Sequence, residues 1–272
     1  MFSFFQNLDI QSLIFLSIAC FFAAFVDAIA GGGGLISFPA YLASGLSPHI
    51  ALGTNKLSST FSATASAYKF ARSGKINWQL LKRTLLFSFL GSISGTLAVQ
   101  FLIDSHYIYP IAIVFLTVVL VYTIANKKIG NINEFSGLTK KNVTLGIFMA
   151  FTIGFYDGFF GPGTGSFLIF ALIKIFKFDF INASGNAKFY NWASNFASLV
   201  TVIIIGRVNY SYAIIVGIIM MFGSALGVKF AVTKGAKFIK PIFITVTVLV
   251  LMKMSLETFF KLDVNQAILN LF

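Results

Sequence analysis

Apolar runs occupy nearly the whole chain. They cover 11–30, 34–45, 49–71, 79–102 and 106–126, then, after a polar stretch from Asn126 to Asn142, 143–160, 164–176, 182–205, 211–233 and 238–256. A helix needs about 20 apolar residues to cross a bilayer, and all but 34–45 and 164–176 reach or approach that length. Only 10% of the 272 residues are charged, against about 25% in a soluble domain. Too few charges exist to clothe a water-facing surface, so lipid must be the main solvent. The expected fold class is an all-α integral membrane protein, multi-pass in a bacterial-type cytoplasmic membrane. The net charge of +12 would suggest nucleic acid in a soluble protein. Here most basic residues lie between apolar runs, which is a topology signal, so no nucleic-acid partner is expected.

The two halves of the chain repeat each other. Asp27, Gly31 and Gly33 recur as Asp157, Gly161 and Gly163, an offset of 130; Gly53 and Lys56 recur as Gly185 and Lys188, an offset of 132. Ser62, Ala65 and Ser66 return as Ser194, Ala197 and Ser198. Gly74 and Asn77 return as Gly206 and Asn209, and Gly91, Ser92 and Gly95 as Gly223, Ser224 and Gly227. Pro110 returns as Pro241. Hydrophobic similarity alone would not hold register across polar and glycine positions. Internal repeats of this kind are common in secondary transporters.

Basic residues set the orientation. Arg72, Lys75 and Lys82, the lysines of the central linker, Lys174 and Lys177, and the lysines of 229–240 place those segments in the cytoplasm. The loops 103–107 and 206–210 and both termini are then outside. The short runs can only be accommodated as hairpins that enter the membrane and return. The expected organisation is repeat one over 1–126 (hairpin 11–45, helices 49–71, 79–102 and 106–126) and a cytoplasmic linker over 127–142. Repeat two follows over 143–260 (hairpin 143–176, helices 182–205, 211–233 and 238–256), with a tail at 261–272. Each repeat is a re-entrant or short-helix hairpin plus three transmembrane helices. An odd crossing number makes the halves two inverted repeats. Ala28-Ile29-Ala30 imitates a signal-peptide cleavage site, but residues 1–12 hold no Lys or Arg and the segment recurs in the second half, so no cleaved leader is expected.

The hairpin tips read Asp27-Ala-Ile-Ala-Gly-Gly-Gly-Gly34 and Asp157-Gly-Phe-Phe-Gly-Pro-Gly-Thr-Gly-Ser166. Glycine and proline inside a bilayer free backbone groups that protein, water or solute must satisfy. The short helix after each tip presents an N-terminus, with its partial positive charge and free N–H donors, to the membrane interior. Two such ends facing each other would form an anion site from Gly31, Gly32, Gly33 and Gly34 on one side and Gly161, Gly163, Thr164, Gly165 and Ser166 on the other. The competing reading is that the glycines only permit tight helix crossing. Lys56 and Lys188 lie at matched places inside apolar runs, where a charge is costly and marks a site by default; snorkelling towards an interface is the alternative. Asp27 and Asp157 can neutralise the lysines, cap the backbone, or couple and gate transport by carrying a proton.

Phe25 to Leu35, Thr54-Asn55-Lys56, Gly154 to Phe167 and Ala187-Lys188 together resemble the TauE/SafE family of membrane transporters, particularly its YfcA-like members. The match spans nearly the whole chain. It implies movement of sulfur oxyanions or organosulfonates, and it adds Asn55 to the expected solute-binding residues. The second tip departs from the family's glycine run followed by proline, so the two half-sites are not equivalent.

Other readings are weaker. Ser166 has no histidine base within reach, since His49 and His106 sit near the outer face, and no cluster resembles a metal site. Neither an enzyme nor a metal or other cofactor is expected. An anion channel of the same fold is the main alternative to a carrier, and a homo-oligomer stays open. Cys20 reads as a packing residue, Gly91/Gly95 and Gly223/Gly227 as packing seams, and Trp78 and Tyr210 as interface anchors.

Overall fold

Helix starts follow from local capping. The computed structural model describes residues 9–101 and 130–259, together with 114, 117, 120, 121 and 124. The rest of the 106–126 run, with Asp104, His106, Pro110, Lys127, Lys128 and the 261–272 tail, lies outside the described residues. All regular structure among the described residues is helical. α1 (Ile10–Ala30) starts at Asp9, whose carboxylate accepts from the backbone N–H groups of Gln11 and Ser12. α2 (Gly34–Ala43), α3 (Pro48–Arg72) and α4 (Trp78–Phe101) follow. α5 (Lys140–Phe159) opens on a capping box of Thr139 and Asn142. Then come α6 (Thr164–Phe176), α7 (Phe180–Ile204, capped by Asp179), α8 (Tyr210–Lys234, capped by Asn209) and α9 (Ala236–Phe259). These side-chain acceptors satisfy N–H groups that the helix itself cannot.

The polarity of the bundle is that of a protein in lipid. Ile10, Ile14, Ile18 and Phe22 recur every fourth residue on one face of α1, and their exposures run from 56% to 70%. Leu145, Phe148, Phe151 and Phe155 form an exposed apolar stripe at helical spacing on α5, and Ile214, Ile218, Phe222, Leu226 and Phe230 form one on α8. Contiguous apolar stripes of this length are rare on water-facing surfaces. The interior, in turn, holds Asn55, Lys56, Asp157, Asn186 and Lys188 along with many serines and threonines. By length and apolarity alone, α1 and α8 suffice to span a bilayer. Cys20 is fully buried and free, packed with Leu16, Ala24, Tyr41 and Met220. Trp78 and Tyr210 stand partly exposed at the first positions of α4 and α8.

Packing is exchanged between the halves. α4 lies against α5, and α1 against α8. A methyl group on Gly91 would fall 2.2 Å from the Phe151 carbonyl oxygen, and one on Gly223 would fall 2.4 Å from that of Phe21. One turn on, Gly95 meets Phe155 and Gly227 meets Phe25 in the same way. Bare glycine lets backbone touch backbone at these crossings. The Asn77 N–H donates to Asn186 Oδ1 at 3.0 Å, and the Asn209 N–H donates to Thr54 Oγ1 at 3.0 Å. These contacts of one half on the other are thus returned from matched positions.

Candidate functional site

The chain breaks after α1 and α5, and the breaks meet. Gly31 ends α1 with φ 77°, a left-handed value that a residue with Cβ resists. A Cβ here would also sit 2.3 Å from Ser166 N and 2.4 Å from Gly165 C. The backbones of the two tips are therefore in contact, which fixes glycine at both Gly31 and Gly165. Neither α2 nor α6 has a side-chain cap on its N-terminus. The N–H groups of Leu35 and Ile36 are taken by the carbonyls of Gly32 and Gly33, and that of Thr164 by the Gly161 carbonyl, while Gly34 and Gly165, in the first turns of the two helices, line a cavity of about 40 Å³.

The wall of this cavity draws on both halves. Gly32, Gly33, Gly34, Asn55, Lys56, Gly161, Gly163, Thr164 and Gly165 line it, as do Asp27 and Asp157. Gly31, Ser166 and Lys188 lie behind the wall. Gly31 is occupied by the contact between tips, and Ser166 Oγ donates to the Ala30 carbonyl at 3.2 Å. Lys188 is covered by Asp27, its side chain 1% exposed. Sequence reasoning did not single out Ser37, Ser59, Asn191 and Asn195, which also face the cavity. The i, i+4 spacing of Asn191 and Asn195 inside an apolar run was the available signal.

The lysines do not reach outwards. Each pairs with the aspartate of the opposite half. Lys56 Nζ lies 3.2 Å from Asp157 Oδ1 and donates to the Asp157 carbonyl oxygen at 2.6 Å; Lys188 Nζ lies 2.6 Å from Asp27 Oδ2. Pairing of this kind lets a charge exist away from water. The two pairs have unequal surroundings. Asp157 also accepts from Thr164 Oγ1 at 3.0 Å and Ser194 Oγ at 2.5 Å, and its side chain is 4% exposed. Asp27 accepts instead from the Gly33 N–H at 3.2 Å, and its side chain is 24% exposed. One carboxylate is enclosed by donors, while the other stays open to the cavity. Asp27 thus combines pairing with a backbone contact at its tip, whereas Asp157 is paired and held by side-chain hydroxyls. Among the described residues no group of three or more His, Cys, Asp and Glu is placed to hold a metal.

With charges balanced two against two, the cavity presents helix-end N–H groups, amides and hydroxyls as its remaining donors. Such a surface suits a small solute rich in hydrogen-bond acceptors.

Comparison with known proteins shows the family. A family model described as "Sulfite exporter TauE/SafE" matches residues 16–254. A protein of Haemophilus influenzae named "Probable membrane transporter protein" is 35% identical over 253 residues, covering 92% of this chain and 96% of its own length. "Probable membrane transporter protein ORF9" of a Sinorhizobium species is 33% identical over 89% of this chain and 92% of its own. "Probable membrane transporter protein YfcA" of Escherichia coli K12 is 30% identical over 89% of this chain and 90% of its own. No solved structure matches significantly.

Proposed function

The chain belongs to the sulfite exporter TauE/SafE family of membrane transporters, and from that premise we propose that it is a multi-pass carrier of a small anionic solute across the cytoplasmic membrane. The solute class is a sulfur oxyanion or organosulfonate. The observation that carries this reading is the meeting of two helix N-termini, α2 and α6, each with glycine at its cap, on one small polar cavity. Helix ends supply N–H donors and a positive end of the dipole to an anion.

The crossed pairs add a route to coupling. Asp27 and Lys188 together are neutral. A proton delivered to Asp27 leaves the Lys188 ammonium uncompensated, and an arriving anion restores neutrality. Proton and anion then move together with no net charge. The greater exposure of Asp27 favours it over Asp157 for this role. The reciprocal contacts between the halves support an inverted repeat whose axis lies in the membrane plane, with the termini outside and the 127–142 linker inside. The contact of Gly31 with Gly165 and Ser166 favours a gated carrier over an open channel.

Reconstituted vesicles test the reading. Uptake of radiolabelled sulfite or methanesulfonate is expected to saturate and to accelerate when unlabelled anion is preloaded on the far side. Uptake that never saturates and follows only the applied voltage would establish a channel, and transport of neither anion would overturn the solute class.

A further inference from the structure

Ser37 sits one turn into α2, wholly buried, on the cavity wall. Among the described residues, its Oγ is the only buried side-chain nitrogen or oxygen without a hydrogen-bond partner. The hydroxyls nearby behave differently. Thr54, Ser58, Thr60 and Thr64 each donate to the carbonyl four residues back, at 2.6, 2.8, 2.7 and 2.7 Å, the usual refuge of a hydroxyl on a helix. For Ser37 that carbonyl is Gly33 O, which already accepts the N–H groups of Ile36 and Ser37 at 3.0 and 2.9 Å. A buried hydroxyl with nothing to bond destabilises the fold, and each such group in a native structure calls for an explanation.

The second half offers no counterpart. The position matching Ser37 at an offset of 130 is Phe167. The hydroxyls at the α6 tip are engaged within the protein: Thr164 Oγ1 donates to Gly161 O at 2.6 Å or to Asp157 Oδ1 at 3.0 Å, and Ser166 Oγ donates to Ala30 O. On the α2 side, Asn55 Oδ1 accepts from Ser59 Oγ at 3.4 Å, which leaves the Asn55 Nδ2 to donate into the cavity it lines. Asn191 Oδ1 likewise accepts from Asn195 Nδ2, so amides line the cavity from both halves, and the unpaired hydroxyl is what distinguishes the first tip.

We infer that Ser37 binds the transported anion, its hydroxyl donating to a solute oxygen at the N-terminus of α2, so that the first tip grips the solute more tightly than the second. The inference rests on the anion reading above and adds to it both a residue and an asymmetry.

The test is Ser37→Ala in purified full-length protein, with sulfite and methanesulfonate as probes. Without anion, the variant is expected to melt at or above the temperature of the parent, because an unpaired buried hydroxyl has been removed. With anion, its affinity should fall about tenfold, the worth of one hydrogen bond to a charged acceptor. A drop in melting temperature without anion would show that the hydroxyl has a structural partner and would overturn the inference. So would unchanged affinity in a variant whose parent binds. If the parent bound neither probe, the anion reading would fall and the inference with it.

Discussion

Lys188 Nζ rests 2.6 Å from Asp27 Oδ2 although 161 residues separate them, and Lys56 repeats the arrangement on Asp157. The charge of each repeat is thus neutralised by the other.

That dependence has an energetic signature. Lys188→Gln leaves the Asp27 carboxylate without its counter-charge, and breaking one side of a buried pair costs about 3–5 kcal/mol. The neutral double variant Lys188→Gln/Asp27→Asn should recover a large part of the loss. A thermal-denaturation double-mutant cycle in detergent is expected to give a coupling above about 1 kcal/mol. Additive single effects would mean that the pair is not formed.

The two aspartates should fail in different ways. Asp157→Asn would remove the counter-charge of the buried Lys56 ammonium and set an amide NH2 against either Ser194 on one carboxylate oxygen or Thr164 and Lys56 on the other. Asp157→Asn is therefore expected to lose most of its folded yield, measured by size-exclusion chromatography. Asp27→Asn strands the Lys188 ammonium and should also lower the melting temperature, but its folded fraction should insert and lose the proton uptake that accompanies anion entry, read with a pH-sensitive dye inside vesicles. Normal proton uptake by Asp27→Asn would remove the coupling role.

The glycine seams should respond in matched fashion. Gly91→Ala and Gly223→Ala each force a methyl onto a carbonyl oxygen 2.2 or 2.4 Å away, an overpacking that costs about 1–3 kcal/mol apiece. Comparable drops in melting temperature are expected from the two. A loss at one site alone would break the equivalence of the seams.

Topology is open to chemical labelling because Cys20, the sole cysteine, is buried. Ser136→Cys introduces a thiol at an exposed position of the linker. An impermeant maleimide should label it only after the cells are opened. Labelling in intact cells would place the linker outside and invert the proposed orientation.

Much of the site was legible in the chain because it violates the expectations of an apolar run. Glycine clusters, a proline, two aspartates and two lysines stand out against Phe, Ile and Leu, and their recurrence at a near-constant offset marks them as paired. An offset, however, says which residues are equivalent and not which ones touch. That Lys56 meets Asp157 and not Asp27 is a property of how the helices cross. Ser37 escaped notice for a different reason: serine is common in these helices, and only the geometry shows that its hydroxyl has nowhere to donate. Hydropathy also understates α3 and α7, since their inward Ser, Thr, Asn and Lys residues lower an average that cannot distinguish the two sides of a helix.

The seams of α4 on α5 and α8 on α1 bear on how the proposed carrier could move. Each fastens a helix of one repeat to a helix of the other, with no side-chain layer between them to slide or yield. A cycle in which repeat one swings as a body against repeat two would have to tear both crossings apart. The rigid struts are instead mixed pairs, α4 with α5 and α8 with α1, and any opening has to occur between a strut and the elements around it. On the proposed carrier reading, the unit that repeats in the chain is therefore not the unit that would move.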